Sequence, residues 1–218
     1  MDTVQRHDLV EVTDVDELHA LLGRPNDRAR TKERTRLTPV DRRWLAASPF
    51  CLVGTSDAAG HCDVSPKGDP AGFTVVLDDT TIALPERPGN KRADGFHNLL
   101  SNPHIGLLYL IPGRGDTLRI NGRARILSDA PFFDDMIVKG HRPRFAVLVD
   151  IDTVFYHCAK SFLRSALWDP ATWDPTVLPR VAEIIAAVQP DIDESIADLD
   201  RHYEPQNYLG KLYGDGNR

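Results

Sequence analysis

Chemistry in this chain is densest at Pro85-Glu86-Arg87-Pro88-Gly89-Asn90-Lys91-Arg92, which runs from the end of an apolar segment to the start of a helical one. Three cations lie among residues that favour loops, where a helix begins. Unpaired N–H groups, the positive end of the helix dipole and nearby Arg or Lys charges together suit a phosphate dianion. The same residues also read as a solvated loop whose cations pair with Glu86 and Asp94. Asp94-Gly95 is a poor helix opening, which weighs slightly against the anion site. A second stretch, Asp63-Val64-Ser65-Pro66-Lys67-Gly68-Asp69-Pro70, leaves a strand for a Gly/Pro-rich loop. Ser65 and Lys67 could add a hydroxyl and a charge to the same anion, although Pro-Lys-Gly-Asp-Pro is also simply a good loop.

Other chemistries lack their motifs. The chain has no G-x-G-x-x-G after a strand, no Walker loop and no G-x-S-x-G elbow. Gly113-Arg114-Gly115 reads as a hairpin turn between two strands. The histidines do not cluster at metal-ligand spacing, and no metal site is expected. His61 and Cys62, adjacent on a strand, would point to opposite faces.

The elements that would position these residues are mostly strands. Phe50–Thr55, His61–Ser65, Phe73–Leu77, Thr81–Pro85, Ile105–Ile111, Thr117–Leu127, Arg144–Ile151 and Val154–Tyr156 are short apolar runs separated by turn residues. One helix, Ala93–Ser101, interrupts them and carries Phe96, Leu99 and Leu100. This texture predicts a mainly β, α+β domain built as a small closed barrel, and argues against a parallel βαβ sheet. Helices are expected at both ends: one capped by Thr13 and closed by Gly23, one opened by Thr38-Pro39, and one over Val177–Val188. A short helix is also expected over Ala130–Val138.

Composition is that of an ordinary globular protein, with 41% hydrophobic and 27% charged residues. No apolar run is long enough to cross a bilayer, and no export signal is visible, so the expected location is cytoplasmic. The three cysteines fit neither a disulfide framework nor a zinc site, and are expected as small buried hydrophobes. Net charge is −6, unevenly spread: Arg24–Arg43 holds eight Lys/Arg against three acids, and Asp169–Glu204 nine acids against two arginines. In an acidic protein the basic run, free of interleaved aromatics, does not point to nucleic acid. Mutual packing of the two segments, or simple solvation, is expected.

In order and spacing, several pieces resemble the pyridoxamine 5′-phosphate oxidase superfamily of FMN-binding split β-barrels. They are Gly60-His61-Cys62-Asp63-Val64-Ser65-Pro66-Lys67, Thr81-Ile82-Ala83-Leu84-Pro85, the Arg87–Arg92 loop, Asn98–Leu108 and Leu118-Arg119-Ile120-Asn121-Gly122-Arg123-Ala124. The chain is similar above all to a subgroup of probable FMN-dependent enzymes without a settled substrate, also at Cys158-Ala159-Lys160 and Arg164-Ser165-Ala166-Leu167-Trp168. The resemblance covers roughly Leu45 to Trp168. It implies a helical segment over 1–44, a barrel domain over 45–168 and a helical extension over 169–218.

The resemblance also implies FMN, held between the subunits of a homodimer. Asn90 and Lys91 fall where the family grips the FMN phosphate, with Arg92 or Arg87 compensating where Asn90 replaces a family arginine. Ser65 replaces another family arginine, and Lys67 is the candidate to supply that charge. Pro85 falls where backbone meets the flavin ring. Thr117 stands where the true oxidases have glutamine, and their C-terminal substrate-phosphate arginine motif is missing. Arg119, Asn121 and Trp168 are candidates to complete the pocket, with a cross-strand ion pair and a packing anchor as the plainer readings of Arg119 and Trp168. The implied activity is that of an FMN-dependent oxidoreductase on a small organic substrate, rather than an authentic pyridoxamine phosphate oxidase. The alternatives are a deazaflavin-dependent reductase on the same barrel, a non-enzymatic flavin or haem protein (with His97, His104 or His157 as axial candidates), and a structural dimer.

Overall fold

The computed structural model describes residues 9–213. They fall into two compact units, one ending at Glu33 and one beginning at Arg34. The first holds α1 (Val15–Leu22) and α2 (Asp27–Arg30). The cap of α1 is Asp14 rather than Thr13. Its carboxylate accepts from Glu17 N at 2.8 Å, while Thr13 N donates to Glu17 Oε2 at 3.2 Å. Thr13 thus serves one position earlier, and Gly23 closes the helix at φ 75°.

The second unit opens with α3 (Pro39–Ala47), which starts where Thr38-Pro39 places it. Seven strands follow: β1 (Phe50–Ser56), β2 (Cys62–Gly68), β3 (Val75–Val76), β4 (Thr81–Pro85), β5 (His104–Leu110), β6 (Thr117–Leu127) and β7 (Ala146–His157). Between β4 and β5 runs α4 (Asp94–Ser101), and Pro131–Met136 forms a 3-10 turn before β7. The C-terminal part carries α5 (Lys160–Arg164), α6 (Val181–Val188), α7 (Ile196–Tyr203) and α8 (Pro205–Leu209).

The sheet order is β2-β1-β5-β6-β7-β4-β3, with antiparallel pairing throughout. Among the described residues its end strands β2 and β3 do not pair with each other, so the sheet is a split barrel rather than the closed one the strand spacing suggests. It nonetheless curls around a single core. Cys51 and Val53 of β1 share one cluster with Ile82 and Leu84 of β4, Tyr109 of β5, and Leu118 and Ile120 of β6. Leu45, Ile82, Leu118 and Ile120 are wholly buried, each worth roughly 1.5–3 kcal/mol. A smaller cluster packs Phe133 and Met136 on Ala83, Ala146 and Leu148.

Strand β7 is continuous, where the sequence suggests two strands. Asn121 pairs with Thr153 but Gly122 with Ile151, so Asp152 is the extra residue of a bulge. A Cβ on Gly122 would lie 2.2 Å from the Asp150 carbonyl, so this crossing requires glycine. Strand β3 is also shorter than Phe73–Leu77, because Phe73 and Thr74 turn inward, and Thr74 Oγ1 donates to Tyr109 Oη at 3.1 Å.

Other expectations need correction. Only Cys51 is buried, while Cys62 and Cys158 are exposed. Arg34 pairs with Asp41, and Arg36 and Arg42 with Asp79. Arg180 and Arg201 pair with acids of the C-terminal segment. These pairs form within each run or with Asp79 rather than between the two runs, and most of them are solvated. Among the described residues, no helix is long and apolar enough to cross a membrane.

Candidate functional site

Strand β2 alternates exposed and half-buried residues, which turns Asp63, Ser65 and Lys67 to one face. Their partners on β1 are Thr55, Val53 and Cys51, so this is the inner face of the sheet. Helix α4 lies across it. Asn98 Nδ2 donates to Thr55 Oγ1 at 3.1 Å, which pins the helix to β1. At the helix start a Cβ on Gly95 would lie 3.2 Å from Asp63 Oδ2, 3.5 Å from Thr55 Oγ1 and 3.8 Å from Ser65 Oγ. A side chain there would fill the polar space between strand and helix.

The loop from Pro85 to Arg92 borders this corner. Pro85 ends β4, buried against Ala146. Glu86 follows, and Lys67 Nζ donates to its Oε2 at 2.5 Å, with both side chains about one-fifth exposed. The Lys67 ammonium also sits 4.7 Å from the centre of the Phe96 ring. Burial pushes the Glu86 carboxyl up, against the pull of Lys67 and Arg87. Farther along, Asn90 Oδ1 accepts from Arg92 N at 3.0 Å, while Lys91 and Ala93 take left-handed backbone at φ 63° and 62°. Two such non-glycine residues so close together are costly, and the turn they make delivers the chain into α4. The Arg92 guanidinium is exposed and pairs with Asp94.

Ser65 and Lys67 stand on β2, and Pro85, Asn90, Lys91 and Arg92 lie along the loop that the Lys67–Glu86 pair ties to that strand. Arg87 points elsewhere. Its Nε donates to Asp69 Oδ2 at 2.5 Å and its Nη2 to the Met136 carbonyl at 2.6 Å. Tyr213 Oη donates to the other Asp69 oxygen at 2.6 Å. Arg87 is a structural clamp, already matched in charge. The solvated-loop reading describes Arg92, which pairs with Asp94 in solvent, but Glu86 meets Lys67 of β2 in a sheltered pair rather than a cation of the loop.

The remaining candidates lie apart from this corner. Arg119 and Asn121 face outward from β6, on the opposite side of the sheet from Lys67. Arg119 lies over Phe155, with 5.5 Å between guanidinium carbon and ring centre, and Asn121 Nδ2 donates to Thr153 Oγ1 at 3.1 Å. Asn121 also borders an open groove of about 390 Å³ floored by Gly54, Gly106 and Gly122. Thr117 is buried opposite His157. Trp168 stacks on Phe162 and donates from Nε1 to the Arg114 carbonyl at 2.7 Å, which anchors the segment after β7 to the β5–β6 turn. Sequence reading names Glu86 as a pairing partner in the loop, but does not point to Asp63, Thr55 or Gly95 as parts of the corner. The i, i+2, i+4 spacing of Asp63, Ser65 and Lys67 was the available signal for Asp63.

Comparison with known proteins bears on this architecture. Residues 37–158 match the family model described as pyridoxamine 5′-phosphate oxidase. No curated protein matches. Among solved structures, the HupZ protein of Group A Streptococcus is 18% identical, with a TM-score of 0.45 over 55% of this chain and 93% of that one. A Lactobacillus delbrueckii protein crystallised as a candidate pyridoxamine 5′-phosphate oxidase is 22% identical, with a TM-score of 0.45 over 57% and 99%. An FMN-binding protein of Syntrophomonas wolfei is 13% identical, with a TM-score of 0.40 over 54% and 88%. At these TM-scores the overlaps carry no functional weight.

Proposed function

The chain belongs to the pyridoxamine 5′-phosphate oxidase family, and from that premise we propose that it holds FMN and acts as a flavin-dependent oxidoreductase on a small organic substrate. The observation that carries the reading is the corner between β2 and the start of α4. There Gly95, lacking a Cβ, leaves polar space beside Thr55, Ser65 and the Asp63 carboxylate, and Lys67 on the strand with Lys91 and Arg92 in the loop would supply the cations. Those donors suit a phosphate monoester. Lys91 and Arg92 would hold the FMN phosphate from the loop, Ser65 and Lys67 from the strand, with Pro85 nearer the ring.

When bound, the flavin supplies the two-electron redox chemistry, and the protein supplies orientation, electrostatics and exclusion of water. Phosphate binding here requires exchange of partners. Arg92 can leave Asp94 readily, since the pair is solvent-exposed. Lys67 must leave Glu86, which is sheltered and harder to abandon. Arg119 and Asn121 face away from the corner within one chain, so their contribution requires a second copy, and a homodimer with the flavin between subunits is part of the proposal.

Purified protein should carry a yellow chromophore with flavin absorbance that on release is identified as FMN, and it should turn over with NADH or NADPH. Absence of flavin after reconstitution with excess FMN would contradict the reading, and a Soret band would replace it with haem binding.

A further inference from the structure

Lys67 and Glu86 form a sheltered ion pair at the place where an incoming anion needs the ammonium. We propose that Glu86 is a proton-linked counter-ion: an anion that docks at Lys67 displaces the Glu86 carboxylate, which takes up one proton from solvent as it leaves the pair. The proposal rests on the reading that this corner receives a phosphate group. In balanced form, the ion pair, a phosphate dianion and one proton become an ammonium–phosphate pair and a neutral carboxyl.

The geometry limits what else Glu86 can do. Its side chain is 18% exposed, and its backbone N donates to the Phe145 carbonyl at 3.0 Å, so the residue is fixed at the head of the loop. The neighbouring cation, Arg87, is held by Asp69 and the Met136 carbonyl and cannot replace Lys67 as partner. A sheltered carboxylate without a cation favours its neutral form. Burial already pushes this carboxyl upward.

The charged and titratable groups around the corner are few. Strand β2 gives Lys67 and Asp63. Strand β1 gives Cys51 opposite Lys67, its thiol pushed by burial to about 12 and so neutral. The loop and α4 give Arg87 with Asp69, then Lys91, Arg92 and Asp94. On the β7 side stands the Phe145 carbonyl, with Arg144 beside it in the chain. Of the paired carboxylates, Asp69 keeps Arg87, while Asp94, which would give up Arg92, is 43% exposed; Glu86, at 18%, is the sheltered one whose partner the anion would take.

The test is calorimetric titration with FMN, and separately with inorganic phosphate, in buffers of differing ionisation enthalpy. About pH 8 is suitable, since a phosphate monoester is then fully ionised. Wild type should take up protons on binding, and its affinity should fall toward tenfold per pH unit as pH rises. Glu86→Gln should bind at least tenfold more tightly at that pH, with no uptake and no such slope. Infrared difference spectra should gain a protonated-carboxyl band on ligand addition in wild type and not in Glu86→Gln. Lys67→Met, which removes the pair by its other half, should also abolish uptake while weakening binding.

Equal proton uptake in wild type and Glu86→Gln would overturn the linkage. So would FMN binding without uptake, which would leave the flavin reading standing. Phosphate binding with uptake but no FMN binding at any pH would defeat the flavin reading and keep the linkage. If neither probe binds wild type, the linkage falls with it.

Discussion

Two arginines five residues apart in one loop do opposite things. Arg87 has a side chain 14% exposed and an Asp69 partner 2% exposed, and it adds a bond to the Met136 carbonyl and a place beside the Tyr213 ring. Arg92 is 77% exposed and pairs only with Asp94 among the contacts described, at the mouth of α4. In sequence both are cations of a phosphate-friendly loop. In the fold one is cross-bracing and the other is ready to change partners. Burial and the number of fixed acceptors, rather than charge, separate a structural cation from one that can serve a ligand.

That contrast can be broken by substitution. Arg87→Ala should have the largest effect on stability, about 3 kcal/mol, because it strands the buried Asp69 carboxylate beside Tyr213 alone. Urea unfolding measures it, and a loss well under 1 kcal/mol would mean that Arg87 is not a brace.

A second buried clamp sharpens the rule. Asp41 is wholly buried and accepts from Arg34, Thr38 N and Thr38 Oγ1. Burial works to raise its carboxyl, but the hydrogen bonds from Arg34 and Thr38 outweigh it and hold it at about 2. Its folded value lies below its unfolded one. The resulting stability, about 2 kcal/mol, is therefore present above about pH 5 and disappears as pH falls toward 2. Unfolding midpoints measured across that range should show the loss in wild type and a shallower one in Asp41→Asn. Arg92→Ala should have the smallest effect, leaving the unfolding midpoint unchanged within error. A clear drop would show that Arg92 braces the loop as Arg87 does.

Much of the frame was legible because hydrophobic alternation and capping are local. Strands β4 and β6 begin and end where the apolar runs do, and Thr38-Pro39 opens α3 as expected. Features set by distant partners were not. The polar Asp152-Thr153 pair reads as a break but is a bulge forced by pairing with Asn121 and Gly122. Helix α7 is hard to see in the sequence because its polar residues mask the few that pack, of which Leu199 is buried. At the site, the loop cations could be named from sequence. The local Arg92–Asp94 pair could be named as well, but the pairing of Lys67 with Glu86 and of Arg87 with Asp69 could not, since these join residues 18 or 19 positions apart across the split of the barrel. The role of Gly95 is likewise visible only once α4 lies on β2.

The central claim is that the exposed end of this loop grips a flavin phosphate while the buried end only braces it. The most direct measurement is FMN affinity, by quenching of flavin fluorescence, for the double variant Lys91→Ala/Arg92→Ala beside wild type. With roughly tenfold or more lost per charge-assisted contact, the account predicts binding weakened at least about a hundredfold, with the fold intact. An unchanged FMN dissociation constant in that variant would contradict it.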